Sequence, residues 1–380
     1  MEFKADSRTF LEALSFVSKG VAARTTLPIL GNVLIKVNDK VSLRATNLVV
    51  DLQKTFEAQV ISKGATVIPA TQLLQFLKAP GVVKVKVDKM MTVEGKGKIR
   101  LGVIPADEYP SSPKVNPQVK FEIDKTELKD ILDRVGFAVA TDASRPILTG
   151  TYFSGGHSLV VGADGKRMAI YEFKQLKGDI EASLSQQGIE EVKRIAGFAG
   201  DKIKVEIGTK FSSFVLGDYR VIVNHLAGQY PTNALGVVNQ AKNREHPIEV
   251  RLDKTSLMNT LDIAMSFQSG LLSVPIRLTC DDEIKIEVKS DVGNYIDTIA
   301  GEIIRGKSSI LLSPAQIISA IRQVKSDTIV FLMGSPHQPI LILDPDNDKW
   351  LVVQVPIADK EGVEKWEAEK QAEKEKKADF

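Results

Sequence analysis

The chain of 380 residues carries 50 basic and 48 acidic residues, so its net charge of +2 neither favours nor excludes nucleic acid as a ligand. Its one cysteine excludes an internal disulfide framework and fits a reducing cytoplasm. The sequence has no apolar run of about 18 residues and no signal-peptide pattern at its start, so we expect a cytoplasmic protein without a membrane span.

Three segments of the chain repeat one another, and each combines a short alternating strand, an aspartate and an amphipathic helix. The segments are residues 3–14, 121–132 and 250–261. Their aspartates, Asp6, Asp124 and Asp253, stand where a helix cap is needed and lie 118 and 129 positions apart. Self-similarity at such a period predicts three copies of one domain.

A second helix is predicted in the later half of each copy, after a short strand. The stretches that hold these helices are residues 69–77, 185–192 and 313–321. Pro314 suits a first helical position, with Ser313 as the cap before it. The chain therefore divides into six half-units with one helix each.

Between the predicted helices, apolar and charged residues alternate, as they do in a sheet with one face in water. The clearest examples are residues 82–88, 202–207 and 283–288. Six helices packed against many antiparallel strands predict an α+β fold. Polar and proline-containing linkers place the domains at 1–117, 118–245 and 246–358, followed by a charged extension at 359–380.

Residues 301–308 match the phosphate-binding pattern G-x-x-x-x-G-K-[ST] in full, yet they do not predict nucleotide binding. In a phosphate-binding loop the lysine opens a helix, whereas the residues after Ser308 are typical of a strand. We therefore expect a strand that ends in a Gly-Lys turn.

The other reactive side chains are scattered along the chain. The histidines are His157, His225, His246 and His337. They lack metal-ligand spacing, so we expect them on the surface or in loops. Cys280 is expected to be a buried bystander at a strand end, and Asp281-Asp282 to form a turn. Since no nucleophile elbow or catalytic carboxylate pair stands out, we expect no enzyme activity, no metal and no cofactor.

Basic residues lie on or beside the predicted helices. They are Arg8, Lys78, Lys125, Lys129, Arg134, Lys193, Arg194, Lys254, Arg322 and Lys325. Such residues form either a solvated helix face or a distributed phosphate-binding surface that would hold nucleic acid without reading its sequence. Composition leaves both interpretations open, and Arg24, in the loop after the first helix, is equally ambiguous.

Five motifs follow one another along the triplicated chain. They are Arg-Thr-Thr-Leu-Pro-Ile-Leu-Gly-Asn at 24–32, Ala-Thr-Asn-Leu at 45–48, Pro-Ala-Asp-Glu-Tyr-Pro at 105–110, Thr-Asp-Ala-Ser-Arg-Pro-Ile-Leu-Thr-Gly at 141–150 and Ala-Asp-Gly-Lys-Arg-Met-Ala at 163–169. In this order they resemble the bacterial DNA polymerase III beta subunit family, the sliding clamps, over about residues 1–358.

The resemblance implies a DNA clamp fold, in which each domain packs two helices on antiparallel sheets and two chains join head to tail as a ring-shaped homodimer. The ring would encircle double-stranded DNA and tether the replicative polymerase, which confers processivity. The implied partners are the DNA polymerase III alpha subunit, the clamp loader and other proteins with clamp-binding motifs. The implied role is that of a non-catalytic accessory subunit.

The resemblance also implies roles for individual residues. With helices lining the hole, the expected DNA contacts are Arg24, Lys78, Lys125, Lys129, Arg134, Lys193, Arg194, Lys254 and Arg322. Tyr109 and Phe267 are expected at the dimer interface. The expected groove for partner peptides comprises Leu148, Ala163, Gly165, Lys166, Arg167, Met168, Val238, Ser313, Gln316, Val353, Val355, Pro356 and Ile357.

The chain departs from the family pattern at this groove. The family commonly ends in a Met-Pro-Met-Arg-Leu type sequence, whereas this chain has Val-Pro-Ile-Ala-Asp at 355–359 and then continues. Gln316 and Val238 stand at family positions that are often aromatic or proline. We therefore expect altered affinity for client peptides. The alternative function is a clamp-fold peptide-binding scaffold that has no DNA-loading role.

Overall fold

The computed structural model describes residues 1–22, 25–142, 144–231, 235–236, 246–268 and 274–359, and these contain six α-helices and 26 strands. The helices are α1 (Ser7–Val17), α2 (Ala70–Phe76), α3 (Lys125–Gly136), α4 (Gln186–Ile195), α5 (Lys254–Met265) and α6 (Pro314–Ile321). Short 3₁₀ turns span Ser18–Gly20, Pro28–Gly31, Ala106–Glu108 and Pro146–Thr149. Most of the predicted charged extension, residues 360–380, lies outside the described residues.

Each third of the chain repeats one order of elements. The strands of the first third are β1 (Glu2–Asp6), β2 (Val33–Val37), β3 (Val41–Thr46), β4 (Val50–Phe56), β5 (Gln59–Ser62), β6 (Gly64–Ile68), β7 (Val82–Val87), β8 (Met91–Glu94) and β9 (Lys98–Leu101). Those of the second are β10 (Pro117–Asp124), β11 (Gly150–Ser154), β12 (Leu159–Ala163), β13 (Arg167–Glu172), β14 (Glu181–Ser185), β15 (Lys202–Gly208), β16 (Phe211–Leu216) and β17 (Tyr219–Asn224). Those of the last are β18 (Ile248–Asp253), β19 (Ile276–Cys280), β20 (Ile284–Ser290), β21 (Gly293–Thr298), β22 (Gly301–Arg305), β23 (Ser308–Leu312), β24 (Thr328–Met333), β25 (Ile340–Asp344) and β26 (Asn347–Gln354).

In every third, a strand and a helix are followed by three strands, then by one or two more, a second helix and three final strands. This order confirms the predicted repeat of elements and the α+β class. It also makes positions comparable between copies. The final strands β9, β17 and β26 are equivalent to one another, and so are β4, β13 and β21.

The three predicted aspartate caps are confirmed. Each carboxylate accepts hydrogen bonds from backbone N–H groups in the first turn of the helix that follows it, where no intrahelical acceptor exists. The shortest of these bonds run to Asp6 from Arg8 (2.9 Å), to Asp124 from Thr126 (2.8 Å) and to Asp253 from Ser256 (2.7 Å). The caps therefore set the start of α1, α3 and α5.

The two helices of each copy are tied together in the same way. The first residue of the first helix donates its backbone N–H to a carbonyl just past the second helix. The pairs are Ser7 to Gly81 (2.8 Å), Lys125 to Asp201 (2.9 Å) and Lys254 to Asp327 (2.8 Å). The lysine side chains add a second tie, from Lys125 Nζ to the Phe198 carbonyl at 2.7 Å and from Lys254 Nζ to the Val324 carbonyl at 2.5 Å. A positive charge is favourable at this end of a helix.

The chain forms two compact units whose limits differ from the repeat boundaries. Unit 1 comprises Met1–Asp130, Phe153–His157 and Gln175–Ala227. Unit 2 comprises Ile131–Tyr152, Ser158–Lys174 and the described part of the chain from Gly228 onward. Each unit thus combines residues of two neighbouring copies, and the domain limits at 117, 245 and 358 stay predictions.

The sheets explain this division, because they run on from one copy into the next. In unit 1 the strand order is β10-β15-β16-β17-β4-β3-β2-β6, so β17 of the second copy pairs with β4 of the first. In unit 2 the order β11-β12-β13-β26-β25-β24-β18-β22 pairs β26 of the third copy with β13 of the second. Both pairs are antiparallel.

An aromatic side chain marks the same position at both junctions. Tyr219 of β17 lies opposite Lys54 of β4, stacks on Phe198 at 4.2 Å and donates its hydroxyl to Glu12. Trp350 of β26 donates its indole N–H to the Arg134 carbonyl at 2.8 Å. Each ring therefore joins a strand of one copy to a helix or loop of its neighbour.

In the described part of the chain, two strands lack a partner from a neighbouring copy: β9, which is equivalent to β17 and β26, and β21, which is equivalent to β4 and β13. Strand β9 is at the edge of the sheet β5-β1-β7-β8-β9, and β21 is at the edge of the sheet β21-β20-β19-β23. An edge strand presents unpaired backbone N–H and C=O groups to other chains. Ile296 of β21 is 63% exposed, which leaves an apolar side chain in water at this edge.

The motifs for which no catalytic or ligand-binding role was predicted largely adopt the structures expected from the sequence. Residues 301–308 form β22, a turn in which Gly306 has a φ of +73°, and the start of β23, so no helix follows the lysine. Cys280 is fully buried at the end of β19, and burial raises the pKa of its thiol to about 12. Asp281-Asp282 lie in the connection between β19 and β20.

The histidines follow the expectation of surface or loop positions, because all four lie outside the helices and strands. His157 and His337 are exposed, and His246 is buried in the connection before β18. His225 is half-buried at the end of β17, where its Nε2 lies 2.8 Å from Ser212 Oγ. Burial lowers the pKa of His225 to about 4, so the ring is neutral near pH 7.

Replacement of the third cap tests its contribution to stability. We expect Asp253→Ala to lower the free energy of unfolding by about 1 kcal/mol, because the Ser256 amide loses its acceptor. Urea denaturation followed by circular dichroism measures the change. Asp253→Asn keeps an acceptor oxygen and is the matched control. Equal losses in both variants would contradict a capping role.

Candidate functional site

A groove of about 310 Å³ lies within unit 2. Its lining brings together eight residues that the sequence predicted as groove residues: Leu148, Ala163, Gly165, Lys166, Arg167, Met168, Val353 and Val355. Four residues that the prediction missed complete it: Arg145, Tyr230, Pro231 and Pro339. A signal for two of them was present, because Tyr230-Pro231 repeats Tyr109-Pro110 of the first copy.

The floor of the groove belongs to the apolar core of unit 2. Tyr230 stacks on Tyr152 with ring centroids 3.9 Å apart and planes within 4°. Leu148 and Val353 join the same cluster, each only 5% exposed, and Met168 packs against it. This packing gives a preformed apolar surface of the kind that receives apolar side chains of a ligand.

The loop between β12 and β13 forms the rim of the groove and is held by Asp164. Its Oδ1 accepts the backbone N–H groups of Lys166 at 2.8 Å and Arg167 at 3.0 Å. Gly165 has a φ of +88°, and a β-carbon there would lie 2.9 Å from Arg145 Nη1. The turn thus favours glycine, and two cations, Lys166 of the turn and Arg145 beside it, lie at the rim.

Arg167 ties the rim to the elements around it. Its guanidinium pairs with Asp164 Oδ2 at 3.0 Å and donates to the Phe137 carbonyl at 3.0 Å. It also donates to the Gln316 carbonyl at 3.2 Å and to the Ser319 hydroxyl on α6. With its donors engaged inside unit 2, Arg167 shapes the wall of the groove and holds it rigid.

The end of the described chain forms one wall and then turns away. Val355 is 45% exposed in the lining, and its N–H donates to the Lys166 carbonyl at 2.9 Å. Beyond it, the Ile357 N–H donates to the Leu311 carbonyl of β23 at 2.8 Å. Arg277 Nη1 then donates to the Asp359 carboxylate at 2.5 Å.

This path leaves some of the predicted groove residues outside this cavity. Pro356 is buried and Ile357 pairs with β23, so neither lines the cavity. Ser313 and Gln316 also lie outside the lining, although Gln316 Oε1 accepts from Gln354 Nε2 at 2.9 Å behind the wall. Val238 lies outside the described residues.

The groove is positively charged as well as apolar. Arg145, Lys166 and Arg167 are the charged residues of its lining, which holds no carboxylate. Arg167 is neutralised by Asp164, so the net positive charge comes from the rim. The arrangement suits a peptide with a large apolar side chain next to an acidic group.

The predicted phosphate-contacting cations are in different environments. Lys78, Lys129, Arg194 and Arg322 are exposed. Lys193 is half-buried and pairs with Glu190 at 3.0 Å, and Arg194 pairs with Glu191 at 3.2 Å. Lys125 and Lys254 are half-buried and make the interhelical ties described above. Arg24 lies outside the described residues.

Arg134 was predicted to contact DNA, and this prediction is wrong. Its side chain is 3% exposed, and its Nη1 lies 3.0 Å from the Asp344 carboxylate, which is fully buried. The guanidinium also packs over Trp350, 5.4 Å from the ring centre. A cation enclosed in this way is part of the junction between β26 and α3 and has no surface to offer a phosphate.

Tyr109 was predicted at the dimer interface, and the structure places it in the core of its own chain. It is 6% exposed and packs with Leu30 and Val67. Its hydroxyl accepts the Thr46 N–H at 3.2 Å, and burial raises its pKa. Phe267 is half-buried beside Tyr295, with ring centroids 5.9 Å apart, and its interface role stays a prediction.

The buried ion pair gives a sharp stability test. We expect Arg134→Met to lower the free energy of unfolding by about 3–5 kcal/mol, because Asp344 would be left buried without a counter-charge. The double variant Arg134→Met with Asp344→Leu should recover most of the loss in urea denaturation. If the double variant were less stable than the single one, the pair would not be the cause.

Within the described residues, no group of three or more His, Cys, Asp or Glu side chains is placed to hold a metal ion. In the same part of the chain, no helix is long and apolar enough to cross a membrane.

Comparison with known proteins agrees with the geometry. Two family models match the chain: "DNA polymerase III beta subunit, N-terminal domain" over residues 1–113 and "DNA polymerase III beta subunit, central domain" over residues 122–232. The beta sliding clamp of Synechocystis is 23% identical over 90% of this chain and 96% of that protein. That of Chlamydia muridarum is 22% identical over 94% and 100%.

Solved structures show the same fold. The DNA polymerase sliding clamp of Bacillus subtilis superposes with a TM-score of 0.87 at 21% identity, covering 94% of this chain and 99% of that one. A sliding clamp of Bartonella birtlesii bound to griselimycin has a TM-score of 0.85 at 23% identity, covering 94% and 100%. The domain matches, the relatives of similar length and the shared fold together show that this chain belongs to the DNA polymerase III beta subunit family, the sliding clamps.

Proposed function

We propose that the chain is a DNA sliding clamp, a non-catalytic subunit that closes head to tail with a second copy around double-stranded DNA. The observation that carries this proposal is the pair of unpartnered edges, β9 and β21. At both junctions inside the chain, the strands equivalent to β9 pair with the strands equivalent to β21. A second copy satisfies the remaining edges by repeating the same contact, and a repeated head-to-tail contact closes into a ring.

The internal junctions define the register of the proposed contact. Lys54 of β4 pairs with Tyr219 across the first junction and with Leu43 of β3 on its other side. Tyr171 of β13 likewise pairs with Trp350 across the second junction and with Val160 of β12 on its other side. Asp297 of β21 lies opposite Ile286 in the same way.

The third junction follows from this equivalence. Lys98 pairs with Glu94 of β8 as Arg220 pairs with Val215 of β16, so Lys98 is the counterpart of Arg220. Since Arg220 faces Gln53, the neighbour of Lys54, the proposed ladder sets Lys98 of one chain opposite Ile296 of the other, and Ile99 opposite Tyr295.

Side-chain chemistry supports this register. Ile99 and Tyr295 are both half-buried, whereas their neighbours Lys98 and Ile296 are both exposed, so the paired residues share a face of the sheet. The pairing also covers Ile296, which is otherwise 63% exposed, with the aliphatic part of Lys98. Apolar pairs across neighbouring strands stabilise a sheet.

DNA binding in this proposal is topological and independent of base sequence. The exposed cations Lys78, Lys129, Arg194 and Arg322 lie on or just past four different helices and do not form one dense basic cluster in the sequence. Scattered phosphate contacts of this kind give weak, salt-dependent attraction, which permits sliding. Encirclement supplies the retention that these contacts lack.

The groove of unit 2 is the proposed docking site for client proteins in the cytoplasm. The clients are the DNA polymerase III alpha subunit, the clamp loader and other proteins with clamp-binding motifs. Support comes from the preformed apolar floor and the positive rim. A polymerase held at this groove would rebind its template at high effective concentration, which is the physical basis of processivity.

Disulfide trapping tests the ring contact. We expect Ile99→Cys with Tyr295→Cys to yield a covalently closed dimer on oxidation, because the register sets these residues opposite each other. Non-reducing electrophoresis and light scattering measure the product. Ile99→Cys with Asp297→Cys is two residues out of register and is the control. Native Cys280 is fully buried and stays inert. Equal cross-linking of both variants would contradict the register.

The trapped ring also separates the two candidate functions. Closed in the presence of a nicked circular plasmid, it should stay with the DNA in high salt and leave after the plasmid is linearised. Loss from both DNA forms would exclude encirclement. It would instead favour a clamp-fold peptide scaffold, the alternative suggested by the altered segment at 355–359, whose end is held by Arg277.

The groove is tested with griselimycin, which is bound to the Bartonella birtlesii clamp. We expect Val355→Glu to weaken binding at least about tenfold, or about 1.4 kcal/mol, by removing apolar contact area at the wall. Isothermal titration calorimetry measures the affinity. Val82→Glu changes a 66% exposed valine on β7, outside the groove, and is the matched control. Equal affinity in the two variants would contradict this site.

A further inference from the structure

A second cavity, of about 220 Å³, lies within unit 1. Its lining comprises Arg44, Thr46, Leu48, Val49, Val50, Asp51, Pro110, Ser111, Pro113, Phe211, Ile222 and Asn224. These residues come from β3, β4, β16 and β17 and from the segment after Tyr109. The groove of unit 2 is built from the equivalent elements of the next copies, which are β12, β13, the start of β25, β26 and the segment at Tyr230, and it adds Arg145 and Leu148 from the segment before β11.

The equivalence extends to individual positions. Asp51 faces Ile222 in the first cavity, as Met168 faces Val353 in the groove. Pro110 follows Tyr109 as Pro231 follows Tyr230. Strand register also makes Asn224 the counterpart of Val355, because each lies two residues past the facing position on the final strand. The first cavity is therefore the same construction as the groove, one copy earlier.

The rim turns match as well. Asn47 Oδ1 accepts the N–H groups of Val49 at 3.0 Å and Val50 at 2.9 Å, which repeats the role of Asp164 in the groove. Leu48 has a φ of +72° where Gly165 has +88°. A leucine in this left-handed conformation is strained, so the turn geometry has been kept although the glycine is absent.

The two cavities differ beneath the rim. Arg44 and Asp51 form a buried pair in the first cavity, with Nε and Nη2 of Arg44 at 2.7 and 2.6 Å from Asp51 Oδ2. Arg44 Nη1 also donates to the Pro110 carbonyl at 2.5 Å, and its guanidinium packs over the ring of Tyr109. The counterparts of Arg44 and Asp51 in the groove are Val161 and Met168.

We infer that the first cavity is a closed counterpart of the client groove, and that the Arg44–Asp51 ion pair closes it to apolar side chains. The pair fills the floor with two charged groups that already satisfy each other, so an entering apolar side chain would have to desolvate or displace them. The consequence is one client site per chain. This inference rests on the proposed function of the groove in unit 2.

Substitutions at the equivalent wall positions, Val355 and Asn224, test the inference while the Arg44–Asp51 ion pair stays in place. We expect Val355→Trp to abolish griselimycin binding, and Asn224→Trp to leave the affinity within about twofold of wild type. Isothermal titration calorimetry gives both affinity and stoichiometry, and wild type should bind one equivalent per chain. Asn224 is exposed, so the substitution adds bulk at the surface.

A second variant opens the cavity. Arg44→Val with Asp51→Met places the groove's own residues beneath the rim and removes both charges together, so that neither is left unpaired. We expect it to bind a second equivalent of griselimycin per chain, and the added Val355→Trp should remove only the first. Circular dichroism checks that the variant is folded.

Each outcome decides the matter. A second equivalent in the opened variant supports the inference, and a folded opened variant with one equivalent overturns it. If the opened variant does not fold, the wall variants decide, since weakened binding in Asn224→Trp or two equivalents in wild type would overturn it. Loss of binding only in Asn224→Trp would instead move the site to unit 1 and contradict both proposals. No binding by wild type would contradict the proposed groove, and this inference with it.

Discussion

Pairing of strands between neighbouring copies is the interaction on which the rest of the structure depends. A strand edge carries backbone N–H and C=O groups that need partners, and the chain meets this need by joining β17 to β4 and β26 to β13. The compact units follow from these ladders. The edges left at β9 and β21 make a second copy the natural partner, so internal architecture and proposed assembly have one physical origin.

The copies keep their backbone and change their side chains. Helix caps and interhelical ties recur in all three, because they satisfy backbone groups that every copy possesses. The buried contents of the junctions differ: Tyr219 with Glu12 at one, and Arg134 with Asp344 at the other. Each set of side chains needs only to fill the interior of its junction and to pair its buried polar groups.

This freedom allows one repeat to hold two different cavities. In unit 2 Val161 and Met168 leave an apolar floor, whereas in unit 1 the pair Arg44–Asp51 occupies the equivalent positions. A buried ion pair contributes little net stability but is costly to break, so it excludes apolar ligands effectively. Repetition thus supplies the shape of a site, and a few side chains decide whether it accepts a ligand.

The sequence by itself determined the features that depend on near neighbours: the repeat, the caps, the order of helices and strands, and the rejection of a phosphate-binding loop at 301–308. A cap needs only residues two or three positions away, so its signal is local. The sequence also indicated most of the residues that line the groove, through the motifs at 141–150 and 163–169. The tertiary structure decided which polar residues are buried. Arg134 pairs with Asp344, which is 210 residues away in the sequence, and Arg277 pairs with Asp359, which is 82 residues away. No periodicity reports such pairs, because burial and long-range pairing are properties of the folded chain.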